Sequence, residues 1–172
     1  MNVTKTHIEG LLILEPTVFA DERGYFFESF RQLPELPIFI QDNQSLSKYG
    51  TIRGLHMQKQ PYSQAKLVRV LKGKVLDVAV DVRPNSPTYG KYLTIELSEE
   101  NKKQLFIPEN FLHGFSVLSD EAVFFYKVNK YYNKESETGV VYNDQTLNID
   151  WKISNPIVSE KDKTLLSFLD FK

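Results

Sequence analysis

A histidine at the end of a short run containing arginine and glycine is the first residue whose type and setting could support catalysis. His56 ends the run Arg53-Gly54-Leu55-His56 and precedes a polar loop at 59–64. An imidazole titrates close to neutral pH, so its neutral form can accept a proton as a general base. The same histidine could instead be a structural or surface residue, and its position alone does not decide between these interpretations.

Two further residues could share the work of a proton-transfer site with this histidine. Lys66 stands at the start of the next predicted strand and could supply a fixed positive charge. Tyr126 lies in the aromatic run 124–127 and could supply a phenolic proton. The structural alternatives are a solvated strand-end lysine and a core tyrosine whose hydroxyl reaches water. Base, cation and acid are therefore all available, but spacing alone does not bring them together.

A carboxylate near the end of the sequence could orient the histidine. Asp162 could accept a hydrogen bond from His56 and thereby fix the imidazole tautomer, as the carboxylate of a catalytic triad does. Asp162 also follows Ser159 by three residues, a spacing that resembles a capping box at a helix start. The two roles can coexist, and the sequence leaves both open.

A metal site is a further possibility, because β-barrels of this length often hold a metal between closely spaced histidines. His56 is followed by Met57 and Gln58, so a second imidazole pointing the same way along a strand is missing. The sequence has only three histidines and no cysteine, which removes thiolate sites as well. We therefore expect no bound metal.

The elements that must position these residues are predicted to be strands. Aromatic and β-branched residues recur in short blocks between turn formers, a pattern typical of an all-β protein. Strand candidates lie at 8–19, 25–30, 92–97, 104–107, 114–118 and 123–132, in addition to a central pair of strands at 67–71 and 75–82. About eight or more strands are enough for a jelly-roll double sheet, in one domain spanning residues 1–172.

The central pair is the clearest signal in the sequence. Lys72-Gly73-Lys74 separates the apolar run 67–71 from the alternating run 75–82, and this spacing predicts a β-hairpin. In the second arm Asp77 and Ala79 share one face, while Val78 and Val80 share the other.

Two short helical elements are predicted at polar positions. Residues 98–101, with Ser98 at the start, form a candidate capped turn, and Ser159 is the candidate N-cap of a C-terminal helix over 159–169.

Charge and composition exclude several classes of function. Lys plus Arg is 21 and Asp plus Glu is 22, so no net charge draws the chain to nucleic acid or to an anionic membrane. No run approaches the roughly 18 apolar residues of a membrane helix, and the N-terminal residues lack the order of a secretory signal. These features predict a cytoplasmic protein without nucleic-acid or membrane partners.

Several ordered motifs together resemble the dTDP-4-dehydrorhamnose 3,5-epimerase family. The resemblance extends from about Ile8 to Asp162. It rests on Arg53-Gly54-Leu55-His56-Met57-Gln58, Gln64-Ala65-Lys66-Leu67-Val68-Arg69-Val70, Asp77-Val78-Ala79-Val80-Asp81-Val82-Arg83, Ser86-Pro87-Thr88-Tyr89-Gly90, His113-Gly114-Phe115, Tyr126-Lys127 and Asn143-Asp144.

The resemblance implies a fold and a reaction. The fold is a cupin-type jelly roll, usually a homodimer, that acts without metal or redox cofactor on a dTDP-linked 4-keto-6-deoxy sugar. In the family pattern His56 is the general base, paired with Asp162. Lys66 stabilises the enolate oxygen, and Tyr126 donates a proton on the opposite face of the sugar.

Other positions match the family's substrate contacts. Arg53 stands where the diphosphate is contacted, and Asp77 matches a supporting residue. The remaining matches are residues that bind the nucleotide sugar or line its pocket: Arg23, Glu28, Gln41, Asn43, His113 and Tyr132.

Two alternatives remain open. The first is a mono-epimerase acting at one carbon of a related nucleotide sugar, and the second is a non-catalytic nucleotide-sugar binder. A sugar 3,4-ketoisomerase is weaker, because those cupins resemble a pattern with histidine at the position of Gln58. Departures from the commoner pattern at Met57, Asn110, Leu112 and Tyr142 leave the proton-transfer residues intact but bear on sugar specificity.

Overall fold

Two β-sheets stacked against each other form most of the computed structural model, which describes residues 1–171. The helical elements in this range are a 3-10 turn at Lys134–Ser136 and one α-helical turn, α1 (Glu160–Lys163). The strands are β1 (Asn2–Lys5), β2 (Leu12–Glu15), β3 (Val18–Asp21), β4 (Gly24–Phe27), β5 (Gln41–Lys48), β6 (Ile52–Gln58), β7 (Lys66–Lys72), β8 (Lys74–Asp81), β9 (Tyr92–Ser98), β10 (Gln104–Ile107), β11 (Phe111–Val117), β12 (Glu121–Val128) and β13 (Glu137–Gly139).

The two sheets are antiparallel and enclose the main core. The six-stranded sheet has the order β1-β2-β10-β7-β12-β5, and the five-stranded sheet has the order β13-β6-β11-β8-β9. Inward-facing residues of both sheets, such as Val68, Val70, Ala79, Phe115 and Phe124, form one buried cluster between them. The all-β double sheet predicted from the sequence is therefore confirmed.

The predicted hairpin around Gly73 is wrong. β7 pairs with β10 and β12, whereas β8 pairs with β11 and β9, so the chain crosses from one sheet to the other at this turn. Gly73 has a φ of 77°, and a Cβ there would lie 2.1 Å from the carbonyl oxygen of Glu121. Both a tight hairpin and a crossing between sheets require a glycine between the two apolar strands. The sequence pattern therefore does not distinguish a hairpin from a crossing.

The N-terminal strands are also shorter than predicted. The single strand expected over 8–19 is divided into β2 and β3, with Pro16 between them, because proline cannot donate a ladder hydrogen bond. β3 and β4 form a separate, exposed two-stranded ribbon. Strands β1, β5, β6 and β13 were not predicted. The edge strand β5 is mostly polar and carries little of the apolar alternation that marks a strand.

The C-terminal helix over 159–169 is reduced to the single turn α1. Ser159 is its N-cap as predicted, and its side chain accepts a hydrogen bond from the amide of Asp162. Beyond Lys163 the backbone bonds to other segments instead of continuing the helix: the Val141 amide donates to Leu166, and the Phe168 amide donates to Asp144. The capped turn predicted at 98–101 is confirmed, since Ser98 and Asn101 bond each other reciprocally.

The segment 140–171, which we call the C-terminal strap, covers the outer face of the five-stranded sheet. Trp151 and Phe171 of the strap pack with Leu55, Val80 and Leu112 in a second buried cluster. Single β-bridges join Thr51 to Ile157 and Val140 to Leu166, on either side of α1. The strap therefore carries α1 to the flank of β6.

Candidate active site

A cavity of about 600 Å³ opens between the two sheets. Its walls include six of the residues predicted from the sequence to form the site: Arg53, His56, Lys66, His113, Tyr126 and Asp162. These residues come from β6, β7, β11, β12 and α1. The fold thus brings together side chains that are widely separated in the sequence.

An irregularity in β6 aims two of them into the cavity. His56 lies opposite His113 and Arg53 lies opposite Phe115, so three steps along β6 match two steps along β11. In a regular strand, residues three apart point to opposite faces, whereas this bulge allows both Arg53 and His56 to line the cavity.

Two glycines make the bulge possible. Gly54 has a φ of 127°, and a Cβ on it would lie 2.6 Å from the Cα of Gly114 on β11. A Cβ on Gly114 would in turn lie 2.7 Å from the carbonyl oxygen of Arg53. Real side chains do not approach so closely, so the two strands can meet here only because both residues lack a Cβ.

The histidine of β6 is paired with the aspartate of α1. The Nε2 atom of His56 lies 2.8 Å from Oδ1 of Asp162, and the amide of Gly54 donates to Oδ2 at 3.2 Å. Burial alone raises the pKa of Asp162, but the hydrogen bonds from His56, Gly54 and Ser159 outweigh it and lower the pKa below its usual value. The aspartate is therefore ionised and can orient the imidazole.

A lysine on the facing sheet supplies a positive charge. The Lys66 ammonium lies deep among protein atoms, although part of the side chain still borders the cavity. Burial lowers the pKa of Lys66 to about 8, while the negative charges of Asp77 and Glu137 oppose this change. Most of the lysine is therefore protonated at pH 7.

A second histidine and aspartate lie beside this lysine. His113 Nε2 is 3.0 Å from one carboxylate oxygen of Asp77 and 3.2 Å from the other, and both side chains are buried. Burial lowers the pKa of His113 despite the neighbouring carboxylate, so its imidazole is mostly neutral at pH 7. Asp77 therefore neighbours both His113 and Lys66.

The tyrosine lies on the wall opposite His56. Tyr126 belongs to β12 of the six-stranded sheet, while His56 belongs to β6 of the five-stranded sheet. Burial raises the pKa of the Tyr126 phenol, and the positive charge of Arg53 acts in the other direction. The phenol thus keeps its proton at neutral pH and faces the cavity from the side opposite the imidazole.

The structure adds residues that the sequence reasoning missed. Ser47 is buried and accepts a hydrogen bond of 3.0 Å from Nε of Arg53. Lys161 lines the cavity beside Asp162 and pairs with Glu137. Ser47 and Arg53 are only six residues apart but lie on strands of different sheets, and Glu137 and Lys161 are 24 residues apart. No local pattern reveals either pairing, although Lys161 directly precedes the predicted Asp162.

Five predicted substrate-binding residues lie outside the cavity walls of this chain. Arg23 is on the exposed turn between β3 and β4, paired with Asp21, and Glu28 is paired with Arg31. Gln41 and Asn43 bond each other on β5, where Asn43 lies opposite Tyr126. Tyr132 donates a hydrogen bond of 2.6 Å to Glu137.

Two further findings concern metals and membranes. Across residues 1–171, no three His, Cys, Asp or Glu side chains are grouped so that they could hold a metal ion. Within the same residues, no helix has the length and apolar character needed to cross a membrane.

The fold and the cavity together define a class of protein. An imidazole–carboxylate pair on one wall and a phenol with a lysine on the other are the groups of a cupin-type isomerase that moves protons at carbon. The chain belongs to the dTDP-4-dehydrorhamnose 3,5-epimerase family, whose model matches residues 5–170. The resemblance found in the sequence motifs is thereby confirmed.

Individual relatives align with this chain over nearly its whole length. The dTDP-4-dehydrorhamnose 3,5-epimerase of Shigella flexneri is 52% identical, over 99% of this chain and 97% of the relative. The crystal structure of the epimerase from Elizabethkingia anophelis has a TM-score of 0.93 at 51% identity, covering 99% of this chain and 97% of that one. The Legionella pneumophila dTDP-6-deoxy-D-glucose-3,5-epimerase, solved in complex with dTDP-4-keto-L-rhamnose, has a TM-score of 0.94 at 44% identity, covering 99% and 94%. These neighbours confirm the predicted cupin-type jelly roll.

Proposed function

We propose that this protein is a dTDP-4-dehydrorhamnose 3,5-epimerase that converts dTDP-4-keto-6-deoxy-D-glucose to dTDP-4-keto-L-rhamnose. The observation that carries the proposal is the position of His56 and Tyr126 on opposite walls of one cavity. Inversion at carbon requires a base on one face and an acid on the other. Membership of the family and the ligand named in the Legionella structure support the choice of substrate.

The first half of the reaction removes a proton next to the ketone. His56 takes the proton from C3, and the electron pair of the C–H bond moves to the C4 oxygen to form an enolate. Asp162 holds the imidazole and stabilises its cationic form. Lys66 stabilises the negative charge on the enolate oxygen. This stabilisation is needed because a neutral imidazole is a weak base toward carbon acids.

The second half returns a proton from the other side. Tyr126 donates its phenolic proton to C3, the carbonyl re-forms, and the carbon is inverted. Exchange with solvent then restores the phenol and the neutral imidazole. C5 also flanks the C4 ketone, so the same three groups can serve the second epimerisation, and no hydride moves.

The remaining contacts with the substrate are assigned to polar residues in and around the cavity. Arg53 is the contact for the diphosphate, and its hydrogen bond with Ser47 fixes the direction of the guanidinium. His113 and Tyr132 are assigned to the pocket, Gln41 and Asn43 to the nucleotide sugar, and Asp77 supports His113. We place the reaction in the cytoplasm, in keeping with a nucleotide-linked substrate and a chain without cysteine.

We further propose that the protein is a homodimer. Arg23 and Glu28 are predicted substrate contacts, yet neither lines the cavity of its own chain. The ribbon of β3 and β4 carries Arg23 on its turn and ends just before Glu28. It exposes large apolar residues: Phe19, Tyr25 and Phe26. A second copy that covers these rings and receives Arg23 at its own cavity accounts for both observations. Mixing the inactive variants Arg23→Ala and His56→Ala should then restore activity in mixed dimers, and no recovery would contradict this arrangement.

Proton NMR of dTDP-4-keto-6-deoxyglucose with the protein in deuterated water tests the activity. Loss of both the C3 and C5 proton signals, catalytic in protein, is the expected result. Loss of one signal would make the protein a mono-epimerase. Loss of neither would contradict the proposed substrate, and other nucleotide sugars would have to fail as well before the protein is taken as a non-catalytic nucleotide-sugar binder.

A further inference from the structure

Two phenylalanines from opposite sheets close the inner wall of the cavity. Phe115 of β11 and Phe124 of β12 are stacked with ring centroids 4.2 Å apart and planes inclined by 15°. Both rings line the cavity, although only 5% of Phe115 and 1% of Phe124 is exposed. The cavity therefore ends on an apolar surface inside the main core.

This apolar wall lies next to the residues assigned to proton transfer. Phe124 is two residues from Tyr126 on the same strand, with ring centroids 6.1 Å apart. Phe124 also stacks against His113 at 6.0 Å. In the proposed substrate, C6 is bonded to C5, one of the carbons at which Tyr126 delivers a proton. The group on C6 is therefore within reach of this wall when Tyr126 protonates C5.

We propose that the Phe115–Phe124 pair receives the C6 methyl group of the sugar and makes the site selective for 6-deoxy sugars over sugars that carry a C6 hydroxyl. The inference rests on the proposed function and identifies which substrates that site accepts.

The physical reason is the chemistry of the two rings. A methyl group against them leaves water and gains dispersion contacts, whereas a hydroxyl leaves water without a hydrogen-bond partner. An apolar pocket discriminates against an added hydroxyl by about a hundredfold in kcat/KM. Ser45, opposite Phe124 on β5, is a competing partner for such a hydroxyl, because both residues line the cavity.

The primary experiment compares two probes on the wild-type protein. The rate of deuterium exchange at C3 is measured with dTDP-4-keto-6-deoxyglucose and with dTDP-4-ketoglucose, which carries the C6 hydroxyl. Exchange at C3 is chosen because C3 is remote from C6, so the hydroxyl hardly changes its intrinsic acidity. We expect a preference of about a hundredfold in kcat/KM for the 6-deoxy sugar.

Two substitutions at Phe115 locate the source of the preference. Phe115→Gln places a hydrogen-bonding amide at the wall, and the matched control Phe115→Leu removes the same ring but keeps the wall apolar. The preference is a ratio of two rates on one sample, so it does not depend on how much of a variant is folded. We expect the ratio to fall below about tenfold in Phe115→Gln and to stay near the wild-type value in Phe115→Leu.

The outcomes separate this inference from the proposed function. If the wild type exchanges neither substrate, the proposed function itself fails. If it exchanges both at equal rates, the hydroxyl has found a partner such as Ser45 and the selectivity role is overturned. A wild-type ratio in Phe115→Gln, or equal losses of preference in both variants, would also overturn it.

Discussion

The imidazole of His56 lies 2.8 Å from the carboxylate of Asp162 although 106 residues separate them in the sequence. His56 lies on β6 of the five-stranded sheet. Asp162 lies on α1 within the C-terminal strap, which packs against the outer face of the same sheet. The proposed base and the carboxylate that orients it therefore come from two elements that are distant in the sequence and meet only in the folded protein.

Replacing Asp162 with asparagine should slow proton removal while leaving the fold intact. The amide keeps the size of the side chain but loses the charge that stabilises the protonated imidazole. We expect C3 and C5 exchange to fall by about a hundredfold, measured by proton NMR in deuterated water. Asp150→Asn, at an exposed aspartate that does not line the cavity, is the control and should exchange at the wild-type rate. Wild-type exchange in Asp162→Asn would show that the pair is only structural.

Tyr126→Phe should separate exchange from inversion. The variant keeps His56 and Lys66, so an enolate still forms and can take a deuteron back on its original face. Product of inverted configuration should fall by about a hundredfold or more, while some exchange at C3 persists. The measurement is the ratio of exchanged substrate to epimerised product. Tyr92→Phe, on β9 and outside the cavity wall, is the matched control. Full turnover in Tyr126→Phe would mean that another group is the acid.

Activity should decrease as the pH rises through about 8. The enolate needs the ammonium form of Lys66, and burial lowers the pKa of this lysine to about 8. A plot of kcat/KM against pH should therefore show a basic limb near that value. Lys66→Met should lose turnover at every pH. A wild-type profile that stays flat to pH 10 would contradict the role of the lysine.

The same lysine should make folding stability increase as the pH rises, whereas activity decreases. Between pH 8 and 10.5 the unfolded chain keeps a proton that the folded chain has lost, because 10.5 is the ordinary pKa of lysine. The unfolded state then binds more protons, so the contribution of Lys66 to stability increases as the pH rises over this range. Urea denaturation of the wild type and of Lys66→Met should differ most below pH 8 and converge above it. A constant difference would contradict the lowered pKa.

Gly54→Ala should destabilise the protein far more than Gly24→Ala. The two glycines have φ values of 127° and 130°, so an alanine suffers the same backbone strain at each. At Gly24 nothing lies within 4 Å of the added Cβ, whereas at Gly54 the Cα of Gly114 is 2.6 Å away. We expect about 1–3 kcal/mol for Gly24→Ala and a clearly larger loss for Gly54→Ala, measured by urea denaturation. Equal losses would mean that β6 and β11 separate without cost.

The residue types of the site could be predicted from the sequence, but their arrangement only in part. His56, Lys66, Tyr126 and Asp162 carry side chains suited to proton transfer, and all four line one cavity. The bulge at Gly54 could not be predicted, because it depends on the approach of another glycine on β11. Pairings such as Arg53 with Ser47 depend on how separate segments meet in space.

The fold shows the same division between local and long-range information. Alternation along 75–82 correctly grouped Asp77 with Ala79 on one face of β8 and Val78 with Val80 on the other, because that pattern is local. It did not predict that the face with Asp77 is the one that lies toward the space between the sheets. The partner of β8 was assigned wrongly, because turn residues show where a strand ends but not which sheet comes next. Asn110, which stands where the family commonly has glycine, has the left-handed φ of 62° that asparagine tolerates.

The crossing at Gly73 has a consequence for how the protein acquires activity. A single turn links a strand of one sheet to a strand of the other, so neither sheet can be completed without its neighbour. The proposed base, His56, lies on one sheet and the proposed acid, Tyr126, lies on the other, so a half-folded chain would possess at most one of them. Catalytic competence should therefore emerge in an all-or-none manner with the cooperative formation of the domain. In the proposed dimer each site also needs Arg23 of a second copy, so activity recovered during refolding should appear no earlier than burial of the core.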